Sequence, residues 1–135
     1  MSVSTAQTAL FTAAISALGS IPTAFENVPF TKPVNAKWAA LFFLPNRPGV
    51  ETLGSVGQDM VTGIMQIDIN YPQDTGDSAA RADFETIRVA FKAGYSFTSS
   101  GQVVTITNCG RSAGRLVDQF YRVSTTVSWW AMIPR

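Results

Sequence analysis

Val61-Thr62-Gly63-Ile64-Met65-Gln66-Ile67-Asp68-Ile69-Asn70-Tyr71 alternates apolar with polar side chains: Met65, Ile67, Ile69 and Tyr71 stand against Gln66, Asp68 and Asn70. Successive side chains of a strand point to opposite faces, so this stretch predicts a strand with one face buried and one polar. A longer run, Phe120 to Ile133, has the same period, with Tyr121, Val123, Thr125, Val127 and Trp129 set against Arg122, Ser124, Thr126 and Ser128. Lys37 to Leu44 differs, because Trp38, Ala40, Phe42 and Leu44 face one way while Ala39, Leu41 and Phe43 face the other. Apolar residues on both faces predict a central strand covered on both sides. Ala24 to Phe30, punctuated by Pro22, Pro29 and Pro33, reads as an edge strand or a loop. Tyr95 to Phe97 and Val103 to Asn108 pair around Ser99-Ser100-Gly101.

Two helices flank these strands. Ser4 to Leu18 carries Leu10, Ala14 and Leu18 at helical spacing with Phe11 and Ile15 beside them, a capping box of Ser4 and Gln7, and a stop at Gly19 and Pro22. After the Pro72 to Gly76 turn, Asp77 or Ser78 caps a helix to about Ala93, with Ala80, Phe84, Ile87 and Phe91 as its buried stripe. Pro45 to Gly57 is a long exposed loop, and Gly110 to Gly114 a flexible one. The order helix, strands, helix, strands predicts an α+β fold: a mainly antiparallel sheet with two helices packed on it, in one domain spanning residues 1–135.

Hydrophobic residues make up 46% of the 135 and charged residues 14%, against about 25% charged in an average soluble protein. Few charges leave apolar surface to be covered by other chains. Ten basic and nine acidic residues give a net charge of +1. A protein that grips nucleic acid carries a basic excess or tract, so tight DNA binding is not expected. The apolar stretch Trp38 to Leu44 falls far short of the roughly 20 residues that span a bilayer, and Met1 to Gln7 lacks the basic start of a signal peptide. A soluble protein without membrane contact is the expectation. Cys109 is the lone cysteine, which excludes an intrachain disulfide and suits a reducing compartment.

Catalytic chemistry has little to work with. There is no histidine, which removes the commonest general base and metal ligand, and Cys109 has no imidazole to activate it. Asp83 and Glu85 are two apart on one helix and diverge, while Asp74 and Asp77 flank Gly76 as ordinary turn residues. Gly54 and Gly57 lack the lysine of a phosphate loop. No catalytic residue, metal site or cofactor is expected. Trp129 and Trp130 are neighbours on one strand, so one enters the core and the other meets a neighbouring element or a partner chain.

Glu26-Asn27-Val28-Pro29-Phe30, Leu53-Gly54, Gly57-Gln58-Asp59, Thr62 to Pro72 and Gly76, with Tyr121-Arg122-Val123 and Val127-Ser128-Trp129, resemble the tail terminator (tail-completion) proteins of long-tailed bacteriophages. Trp130 to Arg135 and Gly110 to Asp118 depart from that pattern. The resemblance implies a structural virion protein with no enzymatic activity. It implies a homohexameric ring on the head-proximal end of the tail tube, assembled in the host cytoplasm. The ring stops polymerisation of the tube protein and meets the head–tail connector or neck protein, and DNA passes through it only passively. Such a ring closes by head-to-tail contacts between two different surfaces of each chain. The loop bearing Arg47, Glu51 and Asp59 is a candidate for subunit or adjacent-ring contacts, as are Arg111, Arg115 and Trp130. Three other readings stay open: a neck or head-completion protein, a tail-tube protein, and a small ligand-binding or enzyme domain of similar layout.

Overall fold

A computed structural model describes residues 1–135. In chain order the elements are α1 (Val3–Leu18), β1 (Thr23–Phe25), β2 (Trp38–Pro45), β3 (Gly49–Val50), β4 (Gln58–Pro72), α2 (Ser78–Ala90), β5 (Ser96–Ser99), β6 (Gln102–Arg111), β7 (Arg115–Val117) and β8 (Phe120–Pro134). The two alternating runs are the axis of the molecule. β4 and β8 pair antiparallel along their whole length, from Gln58 opposite Pro134 to Pro72 opposite Phe120. Strands add outward in the order β1-β2-β4-β8-β6-β5, with β3 on β4 and β7 on β8. Every pairing is antiparallel except β1 with β2, and the architecture is the expected α+β.

The register assigns the faces. Met65, Ile67 and Ile69 lie beside Leu41 and Ala39 of β2 and beside Val127 and Val123 of β8. α1 and α2 cover this face, and Leu10, Ala14, Ile87 and Phe91 close the core with those residues. No helix covers the other face, which carries Met60, Ile64, Asp68 and Asn70 of β4 and Met132, Trp130, Ser124 and Arg122 of β8. Near its Pro72–Phe120 end runs the segment from residue 26 to 37, which connects the parallel pair β1 and β2. Phe30 packs on Trp38 at 5.4 Å between ring centroids, and Trp38 meets Phe120 edge-on at 5.9 Å. Parallel strands need a crossover of about a dozen residues, and here it runs over the sheet without a helix.

One expectation is corrected here. Asp68 and Asn70 belong to the side of β4 read as polar and wet, yet both are buried. Asn70 accepts from Arg122 Nε at 2.7 Å, and Asp68 accepts from Gln66 Nε2 at 2.9 Å, so both buried side chains have a partner. β2 is covered on both faces at Trp38 to Leu41, but it opens to exposed Leu44 and Pro45.

The ends of elements moved where local bonds outcompeted pattern. The capping box of α1 is Ser2 with Thr5: Thr5 N donates to Ser2 Oγ and Ser2 N to Thr5 Oγ1. Ser4 is already helical, and Ile15 is exposed. α2 stops at Ala90 because Phe91 leaves helical geometry to stay fully buried against Phe97. Gly94 N then donates to Ile106 O, which commits the chain to the sheet. Ser100 and Gly101 both take positive φ, 49° and 81°, the two-residue turn that suits the twist of β5 and β6.

Two segments read as loops hold strands. β3 pairs Gly49 with Met60 and Val50 with Asp59 inside the Pro45–Gly57 connection. β6 runs on to Arg111, Ser112 N donates to Ser124 O, and β7 pairs Arg115 with Arg122. A register shift between Ile106 and Asn108 turns Cys109 and Arg111 toward the helix-covered face, opposite Val127 and Thr125.

Candidate assembly surfaces

The six candidate residues fall in three places. Arg47 and Glu51 belong to the β2–β4 connection and are exposed, and Asp59 follows it near the start of β4. The apolar residues of that connection are exposed as well: Val50 at 67%, Leu53 at 92% and Val56 at 89%. Val50 at the end of β3 and Leu53 and Val56 just after it, each mostly in water, form an exposed apolar tip.

The loop beneath that tip is tied down. Glu51 N and Thr52 N both donate to Gln58 O, Gln58 N donates to Thr52 Oγ1 at 2.6 Å, and Gly57 N donates to Gly54 O. Asp59 sits at the base of the loop. It is half-buried and ion-paired with Arg135.

Arg111 lies elsewhere, at the start of α2 on the helix-covered side. Its guanidinium sits 3.7 Å from Asp77 Oδ1, and Asp77 also accepts from the Tyr121 hydroxyl at 3.3 Å and pairs with Arg81 at 3.5 Å. Next to it Asp83 accepts from Lys37 Nζ at 3.0 Å and from the Tyr71 hydroxyl at 2.8 Å. Burial, then the hydrogen bond to Asp83 and its charge, push the Tyr71 phenol far above its usual value. The cluster stitches β4, β6, β8 and the end of the β1–β2 crossover to α2, so Arg111 is engaged within its own chain.

Arg115 and Arg122 are direct partners on β7 and β8 and share the open face. Like charges placed opposite one another repel. Each guanidinium is instead held by a neutral oxygen: Arg115 donates to Ser124 Oγ at 3.2 Å and Arg122 to Asn70 Oδ1. Trp130 lies toward the other end of that face, between Thr62 and Thr105 of its neighbouring strands. It borders a shallow hollow of about 250 Å³ with Met1, Val103 and Met132. Trp129 points the opposite way, fully buried and stacked on Phe43 at 5.1 Å, so it is the indole that enters the core.

Pattern reading missed Arg135, Leu53 and Val56. The two aliphatics carried a signal, being hydrophobics in a Gly/Pro-rich stretch with no period to bury them. Arg135 carried none. Cys109 is half-buried, and burial pushes its thiol up to about 11 although Arg88 pulls the other way. No three His, Cys, Asp or Glu side chains converge on a point that could hold a metal ion. No helix is long and apolar enough to cross a membrane.

A family model described as "Phage tail terminator protein" matches residues 5–129. Twelve chains of solved structures also match. One of them, at 17% identity, superimposes with a TM-score of 0.78 over 97% of this chain and 96% of its own, a likeness of fold. No curated protein matches the sequence.

Proposed function

We propose, since this chain belongs to the phage tail terminator protein family and is a structural protein of the bacteriophage tail, that it works as a closed ring. Each copy contributes one domain, residues 1–135, to a homohexamer. The ring caps the head-proximal end of the tail tube, stops tube polymerisation and receives the head connector. Assembly takes place in the host cytoplasm, and the ring then remains in the virion.

The observation that carries this reading is the exposed tip of Val50, Leu53 and Val56 on a tied loop. Water-exposed aliphatic side chains gain about 25 cal/mol for each Å² they bury. A projecting tip on one side of a subunit calls for a different receiving surface on its neighbour, the head-to-tail arrangement that closes into a ring. Arg47 and Glu51 flank the tip and supply polar contacts at its rim. Trp130, on the open face across the β4–β8 ribbon from β3, is the aromatic candidate for a receiving surface.

Mass measurement of the purified full chain with negative-stain imaging tests the proposal. Wild type should form rings of one size, while a Leu53→Asp, Val56→Asp variant should stay folded and monomeric. Rings from the double variant, or a wild type that stays monomeric at high concentration, would refute it. Open-ended tubes from wild type would replace the terminator with a tube subunit.

A further inference from the structure

We infer that Arg135 is a positioning residue that fixes the docking loop in its working shape. The inference rests on the proposed role of that loop and adds how its shape is held.

Arg135 follows β8, beyond the span matched by the family model. Its backbone N donates to Gly57 O at 2.9 Å, extending the β4–β8 ladder by one rung. Its side chain then reaches under the loop. Nε donates to Gly54 O at 3.2 Å, and one terminal nitrogen donates to Gln58 O at 3.0 Å and pairs with Asp59. The other terminal nitrogen donates to Thr52 O and Gly54 O. One guanidinium thus collects three loop carbonyls and a carboxylate. Only a planar fork with several fixed N–H groups can serve them together; an ammonium cannot.

The surroundings are shaped for this group. A Cβ at Gly57 would collide with the guanidinium, with Thr52 Oγ1 at 2.5 Å and with Thr52 O at 2.7 Å. The Arg135 side chain is 23% exposed and that of Asp59 24%, so the pair is mostly shielded. The strongly exposed residues are those the clamp leaves free, Leu53 and Val56. A loop of this length without the clamp would sample many shapes, and ordering it would oppose each docking event. Holding the loop in advance removes that opposition.

The experiment compares Arg135→Ala and Arg135→Lys with wild type in the full chain, by amide hydrogen exchange and by mass measurement across a concentration series. In Arg135→Ala, exchange of the Glu51, Thr52, Gly57 and Gln58 amides should rise at least about tenfold while Met65 to Ile69 stay protected. The concentration needed for assembly should rise about tenfold or more, and Arg135→Lys should recover little of either. Unchanged loop exchange in Arg135→Ala overturns the clamp, whatever the loop's role in docking. Looser exchange with wild-type assembly overturns the positioning role. The Leu53→Asp, Val56→Asp variant judges the docking loop separately, since it leaves the clamp intact.

Discussion

Gly63 stands directly opposite Trp129 on the β4–β8 ladder, and a Cβ added to Gly63 would lie 2.9 Å from Cζ2 of the indole. The missing side chain is the space that the Trp129 ring occupies as it lies against Phe43. The same Cβ would meet Leu44 O at 2.6 Å and Pro45 Cα at 2.9 Å, backbone atoms that cannot turn aside. Gly63→Ala should therefore destabilise the fold by about 1–3 kcal/mol, the usual range for overpacking. Urea unfolding followed by tryptophan fluorescence measures it. A midpoint equal to wild type would mean that the slot has slack.

Tyr71 gives the chain an alkaline signature. The unfolded chain releases this proton near pH 10, while the folded chain holds it to higher pH. Above pH 10 the unfolded state binds fewer protons, so the contribution of Tyr71 is complete below that pH and declines as pH rises beyond it. The slope approaches about 1.4 kcal/mol per pH unit for one proton. Tyr71→Phe should cost about 1 kcal/mol at neutral pH through the lost hydrogen bond, and its stability should fall less steeply above pH 10. Urea midpoints from about pH 8 to 11.5 compare the two proteins. Parallel declines would remove Tyr71 as the cause.

The arginines predict how an assembled ring treats the genome. Arg111 is paired with Asp77, and Arg115 and Arg122 donate to Ser124 and Asn70. A ring built from chains of net charge +1 has little general attraction for phosphate. Linear duplex should bind no more tightly than about 10⁻⁴ M at physiological salt, the weak end of non-specific binding. Fluorescence anisotropy at low and physiological salt provides the reading. Micromolar binding that weakens steeply with salt, and is lost in Arg111→Ala or Arg115→Ala, would mark the protein as one that grips DNA.

The long elements were legible because each satisfies one period over many residues. β4 and β8 announced themselves by strict alternation, and both helices by their apolar stripes. The same rule hid β3 and β7, which have two and three residues, too few to show any period. The burial of Asp68 and Asn70 was hidden because it depends on neighbours that only folding brings up, such as Arg122 beside Asn70. Asp59 and Arg111 were recognised as charges with work to do, and each has an ion-pair partner within the chain. Their partners, Arg135 and Asp77, are far away in sequence and adjacent only once the sheet is built.

The full-length ladder between β4 and β8 also decides how the subunit answers to force. Pulled along the strands, the two chains are loaded in shear, and the rungs from Gln58–Pro134 to Pro72–Phe120 resist together. Pulled across the strands, they would open one rung at a time. The docking loop enters β4 at one end of this ribbon, and the β7–β8 turn lies at the other. Tension carried between those ends runs along the strands, the direction in which the sheet yields least.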